Sequence, residues 1–161
     1  MPAIEMRLLR LEQLEFLRIL RNDWRVRRWF NMQEEISSSD QQRWFTNYME
    51  DHDWFIFVAF ADNKPVGYGQ IKQDGLNSAE IGCAVDPEVW NQGYGTAIIQ
   101  WLIDYSQQKL GILPVWLQVH ADNDAALALY KHNGFKVTSE IGEPIIREGI
   151  AIPRLRMVLG E

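Results

Sequence analysis

Residues Ala79 to Phe135 read AEIGCAVDPEVWNQGYGTAIIQWLIDYSQQKLGILPVWLQVHADNDAALALYKHNGF. The stretch opens on an apolar strand, Ala79 to Val85, closed by Asp86-Pro87. A glycine-bearing turn follows, Asn91-Gln92-Gly93-Tyr94-Gly95-Thr96, and then a run with helical periodicity. Ile98, Ile99, Leu102, Ile103 and Ser106 form the expected buried stripe, and Gly111 stops it. "LPVWLQVHA" is the next strand. Asp122 or Asn123 then caps a short helix that ends at Gly134, a position suited to left-handed backbone. Strand, helix, strand, helix in this order is a βαβα unit.

Outward from that unit, "AIEMRLLRLEQLEFLRILRND" reads as a short strand and a helix with Leu11, Leu14, Leu17 and Leu20 inward. Ser39 or Asp40 is expected to cap a helix running to about Glu50, with Trp44, Phe45 and Tyr48 on one face. Two apolar runs around Asp62-Asn63-Lys64 predict a hairpin. "FKVTSEI" and "AIPRLRMVL" supply two final antiparallel strands. The fold class is mixed α/β, in one domain over residues 1–161. A central, mostly antiparallel sheet of six or seven twisted strands carries helices on both faces.

Composition narrows the function classes. The net charge is -6, the opposite of the balance expected of a general nucleic-acid binder. Cys83 is the only cysteine, so no internal disulfide or cysteine-rich zinc site is available. The three histidines, His52, His120 and His132, lack metal-ligand spacing. No apolar stretch suits a signal peptide or a membrane span. These features point to a cytosolic protein with no membrane or nucleic-acid partner and no metal.

The turn before the second helix is the first candidate site. The leading N–H groups of a helix lack internal partners and carry the positive end of the dipole. Backbone from Gln92 through Gly93, Tyr94, Gly95 and Thr96 therefore suits a pyrophosphate, and the glycines keep the approach open. No Gly-Lys-Ser/Thr follows, so this is not a P-loop. The third glycine of a dinucleotide fingerprint is also missing. The second candidate is the run Asn123, Ala126, Leu129, Tyr130, Gly134, Phe135.

Together the two motifs resemble the GNAT superfamily of N-acetyltransferases, over about a third of the chain and in the element order of the whole. The family pattern places Arg/Gln-x-x-Gly-x-Gly/Ala at the start of a helix and Asn-x-x-Ala-x-x-x-Tyr with Gly-Phe downstream. Gly93, Gly95 and Asn123 to Phe135 match it. The leading Arg/Gln falls on Trp90, as in the branch that acetylates ribosomal-protein N-termini.

The resemblance implies acetyl-CoA as co-substrate and direct attack by a neutral amine. A strand edge over Cys83, Ala84 and Val85 would hold the pantetheine arm and offer an oxyanion donor. Gly82 would mark a bulge that splays this strand from Val115 to Val119. Tyr130 would protonate the departing thiolate, since a phenol with a pKa near ~10 can serve a thiol near ~8.5. Asn123 would contact the cofactor or fix the loop. Glu80 stands where some family members carry a catalytic glutamate and is the first candidate base.

Gln118 replaces a glutamate used by N-terminal acetyltransferases and cannot accept the proton, and His120 is the second choice. Cys83 as an acyl-carrying nucleophile is disfavoured, since no activating neighbour is adjacent. On the acceptor side, Trp24, Trp29, Phe30 and Trp44 with Glu34-Glu35 resemble enzymes that acetylate amino sugars. The expected acceptor is a small-molecule amine of amino-sugar, aminoglycoside or polyamine type. A peptide N-terminus is the alternative, and a non-catalytic acyl-CoA sensor is the rival class. Homodimers are common in the family.

Overall fold

The computed structural model describes residues 1–75 and 77–159. In chain order, β1 (Glu5–Leu8) leads to α1 (Leu14–Asn22), α2 (Trp24–Arg27) and α3 (Ser38–Glu50). β2 (Trp54–Ala61), β3 (Lys64–Gln73) and β4 (Ala79–Val85) follow as antiparallel neighbours. Then come α4 (Tyr94–Asp104), β5 (Val115–His120), α5 (Asp124–His132) and β6 (Phe135–Glu140). β7 (Ile145–Arg147), β8 (Ile150–Ile152) and β9 (Arg154–Leu159) complete the order. Among the described residues seven strands form one sheet in the order β1-β2-β3-β4-β5-β9-β6, and β7 pairs with β8 in a separate two-stranded sheet. Within the main sheet β4 and β5 are the parallel pair, and the other neighbours run antiparallel.

Side-chain alternation gives the sheet two faces, each with its own core. Ile56, Val58 and Phe60 of β2 pack with Leu14, Leu17 and Leu20 of α1 and with Tyr48 of α3. Phe57, Ala59 and Ala61 point the other way, to Ile98, Ile99 and Leu102 of α4. β2 is therefore apolar throughout because helices cover it on both sides. Tyr48 ties α3 down further, since its hydroxyl accepts from the Ile56 N–H at 2.9 Å. The β2–β3 turn has Asp62 at φ 51° and Asn63 at φ 62°, the left-handed pair that matches strand twist in a two-residue hairpin.

Several local expectations change. Leu11 is 67% exposed, because it sits in a short 3-10 turn ahead of α1. Ser37, not Ser39 or Asp40, caps α3, accepting from the Asp40 N–H at 3.1 Å. Three consecutive serines offer the same chemistry, and the first is the one with extended backbone. In α4, Ala97 is buried and Ile103 only partly so, and the helix widens into a π turn over Tyr105–Lys109. No bulge occurs at Gly82: β3 and β4 stay in register from Gly67↔Val85 to Gln73↔Ala79. Ala151 and Ile152 belong to β8, and Pro153 separates them from β9.

Candidate active site

The splay between β4 and β5 makes the site. The two strands pair only at Ala79↔Val115 and Glu80↔Trp116, then part. The N–H of Asp86 bonds to Val66 O at 2.8 Å on the β3 side, and the N–H of Ala79 bonds to Pro114 O at 3.2 Å on the β5 side. Antiparallel alternation between these fixed points turns the amide groups of Ile81, Cys83 and Val85 into the gap. Ala84 pairs inward with Tyr68 and borders the gap with its side chain. Of the three positions expected to hold the pantetheine arm, Cys83 and Val85 thus present main chain and Ala84 does not. The parting strands enclose a cavity of about 840 Å³.

The N-terminus of α4 closes one end of this cavity. Gly93, Tyr94, Gly95 and Thr96 line it, whereas Gln92 does not. Gly93 caps the helix at φ 88°, and Ala97 is the first residue to donate back, to Gly93 O at 3.1 Å. The N–H groups of Tyr94, Gly95 and Thr96 are left over for an anion. The two glycines have separate reasons. At Gly93 the positive φ is the requirement, and an added Cβ would also stand 3.0 Å from Pro2 Cδ. At Gly95 an added Cβ would meet Leu129 Cδ2 at 3.2 Å, so this glycine brings α4 close to α5. The Trp90 indole donates to Val85 O at 2.8 Å, pinning the β4–α4 loop to the end of β4.

α5 delivers Tyr130 to the same cavity. Asn123 caps the helix, accepting from the Ala126 N–H at 3.2 Å, and so fixes the loop before it. Tyr130 is 8% exposed and packs against Phe135. Its hydroxyl is a hydrogen-bond partner of the Cys83 thiol, and burial pushes its pKa well above the usual phenol value. Burial likewise pushes the Cys83 thiol up to about 12, so it is un-ionised near neutral pH. A protonated phenol inside the cavity is a proton donor, and an un-ionised thiol is a poor nucleophile.

The opposite sheet face holds the polar residues. Glu80, Gln118 and His120 alternate with the buried Ile81, Leu117 and Val119, so they point away from α4. Gln118 Nε2 donates to Glu80 Oε2 at 2.7 Å. Burial raises the pKa of Glu80, and the Gln118 bond with the charges of Lys72 and Arg154 works against that rise. His120 is fully engaged: Nε2 meets Asn31 Oδ1 at 3.1 Å, and Arg147 reaches Nδ1 at 2.5 Å. A guanidinium only donates, so Nδ1 is the acceptor and the proton sits on Nε2. Burial and the Arg147 charge lower the pKa of His120. A neutral ring with both nitrogens occupied is poorly placed to receive a proton.

The profile of the acetyltransferase (GNAT) family matches residues 16–135. The chain belongs to the GNAT acetyltransferase family. Over 52 residues it is 48% identical to the ribosomal protein bS18-alanine N-acetyltransferase of Escherichia coli strain K12, covering 32% of this chain and 34% of that one. The Salmonella typhimurium strain LT2 protein of the same name is 37% identical over 76 residues, 47% of this chain and 50% of that one. The chain thus matches from a third to a half of the length of these curated relatives.

In fold it is similar to the spermidine N-acetyltransferase of Vibrio cholerae in complex with CoA and spermine. The TM-score is 0.89 at 22% identity, covering 97% of this chain and 94% of that one. A dodecameric structure of the Vibrio cholerae enzyme gives a TM-score of 0.83 at 23% identity, with 97% and 92% covered.

Within the GNAT frame, the acceptor wall differs from the expectation. Trp29 and Phe30 line the cavity, but Trp24 is turned outward and Trp44 is packed against Tyr48 and Trp54. Glu34 and Glu35 are exposed, and Glu35 pairs with Arg27 at 3.0 Å. Neither glutamate lines the cavity.

Sequence reasoning missed Arg147, which holds this wall together. It donates to Arg28 O at 3.0 Å, pairs with Asp122 at 2.5 Å and stacks over Trp29. It stands on the unforeseen β7–β8 hairpin, whose turn is Glu148 at φ 53° and Gly149 at φ 78°. Two short apolar runs around Glu148-Gly149 were the available signal. Among the described residues no His, Cys, Asp and Glu cluster could hold a metal ion, and no helix is long and apolar enough to cross a membrane.

Proposed function

We propose that this chain is an N-acetyltransferase that moves the acetyl group of acetyl-CoA to a primary amine by direct attack in a ternary complex. The observation that carries the reading is the gap between β4 and β5, which joins the two sheet faces. A thioester laid along Ile81 to Val85 would meet spare amides there, with its diphosphate at the α4 N-terminus. On one face stands a proton donor, Tyr130, and on the other a proton acceptor, Glu80.

The roles follow from that division. Glu80 takes a proton from the incoming ammonium, directly or through water. The amine nitrogen then bonds to the carbonyl carbon while the N–H of Cys83 or Val85 holds the oxygen's growing charge. As the C–S bond breaks, the nitrogen gives up its second proton to water and Tyr130 gives its proton to the sulfur; the Tyr130 phenolate and the Glu80 carboxyl then return to their starting states by exchange with solvent. Cys83 stays a thiol throughout.

The acceptor is a small-molecule amine. Polyamines enter the list through the fold likeness to the spermidine enzyme; amino sugars rest on the sequence resemblance, of whose residues Trp29 and Phe30 line the cavity. A ribosomal-protein or other peptide N-terminus is the second reading, favoured by the 48% identity over 52 residues and by Trp90. The setting is cytosolic, in one domain over residues 1–161. Thiol release from acetyl-CoA, measured with polyamines, amino sugars and short peptides side by side, tests the proposal. Turnover with any amine supports it. Tight CoA binding with no turnover across the panel would mean a sensor instead.

A further inference from the structure

Arg154 lies at the start of β9, directly across from His120 in the β5–β9 ladder. Its NH2 group donates to Gln118 Oε1 at 2.5 Å, and Gln118 Nε2 donates to Glu80 Oε2 at 2.7 Å. Three side chains from three adjacent strands thus form one line of hydrogen bonds that ends at Glu80. Chemistry fixes the direction of the line. A guanidinium has no acceptor, so the amide oxygen of Gln118 must face Arg154. The amide nitrogen must then face Glu80, and it can only donate.

The surroundings are built to keep Arg154 in place. Gly142, at φ 65°, leaves the room it needs: a Cβ there would stand 2.5 Å from one guanidinium nitrogen. The backbone around Arg154 is fastened by Ile141 N–H to Arg154 O at 2.9 Å and by Ala121 N–H to Pro153 O at 2.9 Å. The Arg154 Nε is buried without a partner, so the side chain accepts a cost to reach Gln118.

We infer that Arg154 and Gln118 are positioning residues that lock Glu80 as a hydrogen-bond acceptor and leave its second oxygen to take the amine's proton. This rests on the role proposed above for Glu80. The charged groups acting on Glu80 come from both sides: Lys72 and Asp74 from β3 and the loop after it, and Arg154 from β9. His120, also facing this cavity, is neutral and held by Asn31 and Arg147. Without Arg154, Gln118 is free to turn its oxygen to Glu80. A carboxyl facing an acceptor keeps its proton, which defeats a base.

The experiment is the pH dependence of kcat/KM for Arg154→Met, Gln118→Leu and the double variant, with Glu80→Gln alongside. Carbon NMR follows the Glu80 carboxyl directly in the same proteins, and thermal shift with acetyl-CoA checks that each one folds. In each single variant kcat/KM should fall about tenfold at pH 6 yet stay within about threefold of the parent at pH 9, a displaced acid limb. The Glu80 carboxyl signal should titrate at higher pH in step. The double variant should lose less than the product of the two single losses, because both cut one line. Unmoved acid limbs in both single variants, or losses that multiply, would overturn the relay. If Glu80→Gln keeps the parent's rate and profile, the base assignment itself fails, a separate outcome from failure of the relay.

Discussion

The indole nitrogen of Trp90 donates to the carbonyl oxygen of Val85 at 2.8 Å, where the family pattern has an arginine or glutamine. The aromatic side chain closes the β4–α4 loop on itself. Trp90→Phe keeps the ring and removes the donor. A hydrogen bond of this kind is worth about 1 kcal/mol, so the dissociation constant for acetyl-CoA should rise about fivefold. Calorimetric titration checks this.

Tyr130→Phe should lower kcat by about a hundredfold while acetyl-CoA affinity stays within about threefold, because the ring's packing survives and only the proton donor goes. Cys83→Ala is the companion measurement. With its thiol un-ionised and its contribution lying in the main chain, that variant should lose less than tenfold in turnover. A dead Cys83→Ala with normal fold would bring back an acyl-cysteine route.

The two glycines of the turn should separate by readout. Gly93→Val puts a β-branched side chain at φ 88°, and the backbone must move by way of the anion cradle. Acetyl-CoA binding should weaken about five- to 150-fold, the equivalent of the roughly 1–3 kcal/mol that such strain costs. Gly95→Val acts between α4 and α5, against Leu129, and overpacking there should cost about 1–3 kcal/mol of stability. Titration and denaturant unfolding on both variants make the comparison.

His120 gives a pH dependence of stability. Its folded pKa lies below its ordinary value of 6.5, so the unfolded chain binds the extra proton first. The stabilising contribution is whole above pH 6.5 and is lost as pH falls through the lowered folded value. Glu80 has the opposite sign: its raised pKa favours the protonated folded state, and that contribution fades as pH rises through the folded value. Denaturant midpoints between pH 5 and pH 8 should fall more gently on acidification in His120→Gln than in the parent. Equal slopes would remove His120 as a source.

The parts of this protein written in local chemistry were legible. Asn123 and Gly134 bracket α5, and Gly93 starts α4, as their capping chemistry predicts. Glu80 was expected on this strand from the family resemblance, and it lines the cavity. What escaped was set by contacts between distant segments. Arg154 meets Gln118 across 36 positions and Arg147 meets His120 across 27, and no spacing rule carries such pairs. The aromatic segment shows the same limit: Trp29 lines the cavity and Trp44 fills a core, though both sit among similar neighbours. Periodicity also missed the β7–β8 hairpin, because strands of three residues are too short to show it.

The bond from Arg147 to Arg28 O spans 119 positions of the chain. It stitches the first quarter of the polypeptide to the last stretch before β9, so the cavity wall that carries Trp29 is held by two segments that share no strand. The β4–β5 gap and the α4 N-terminus, proposed to hold the thioester, by contrast lie within residues 79–135. On the proposed reading, altering the hairpin and its counterpart together would change which amines are admitted while leaving the donor's seat untouched.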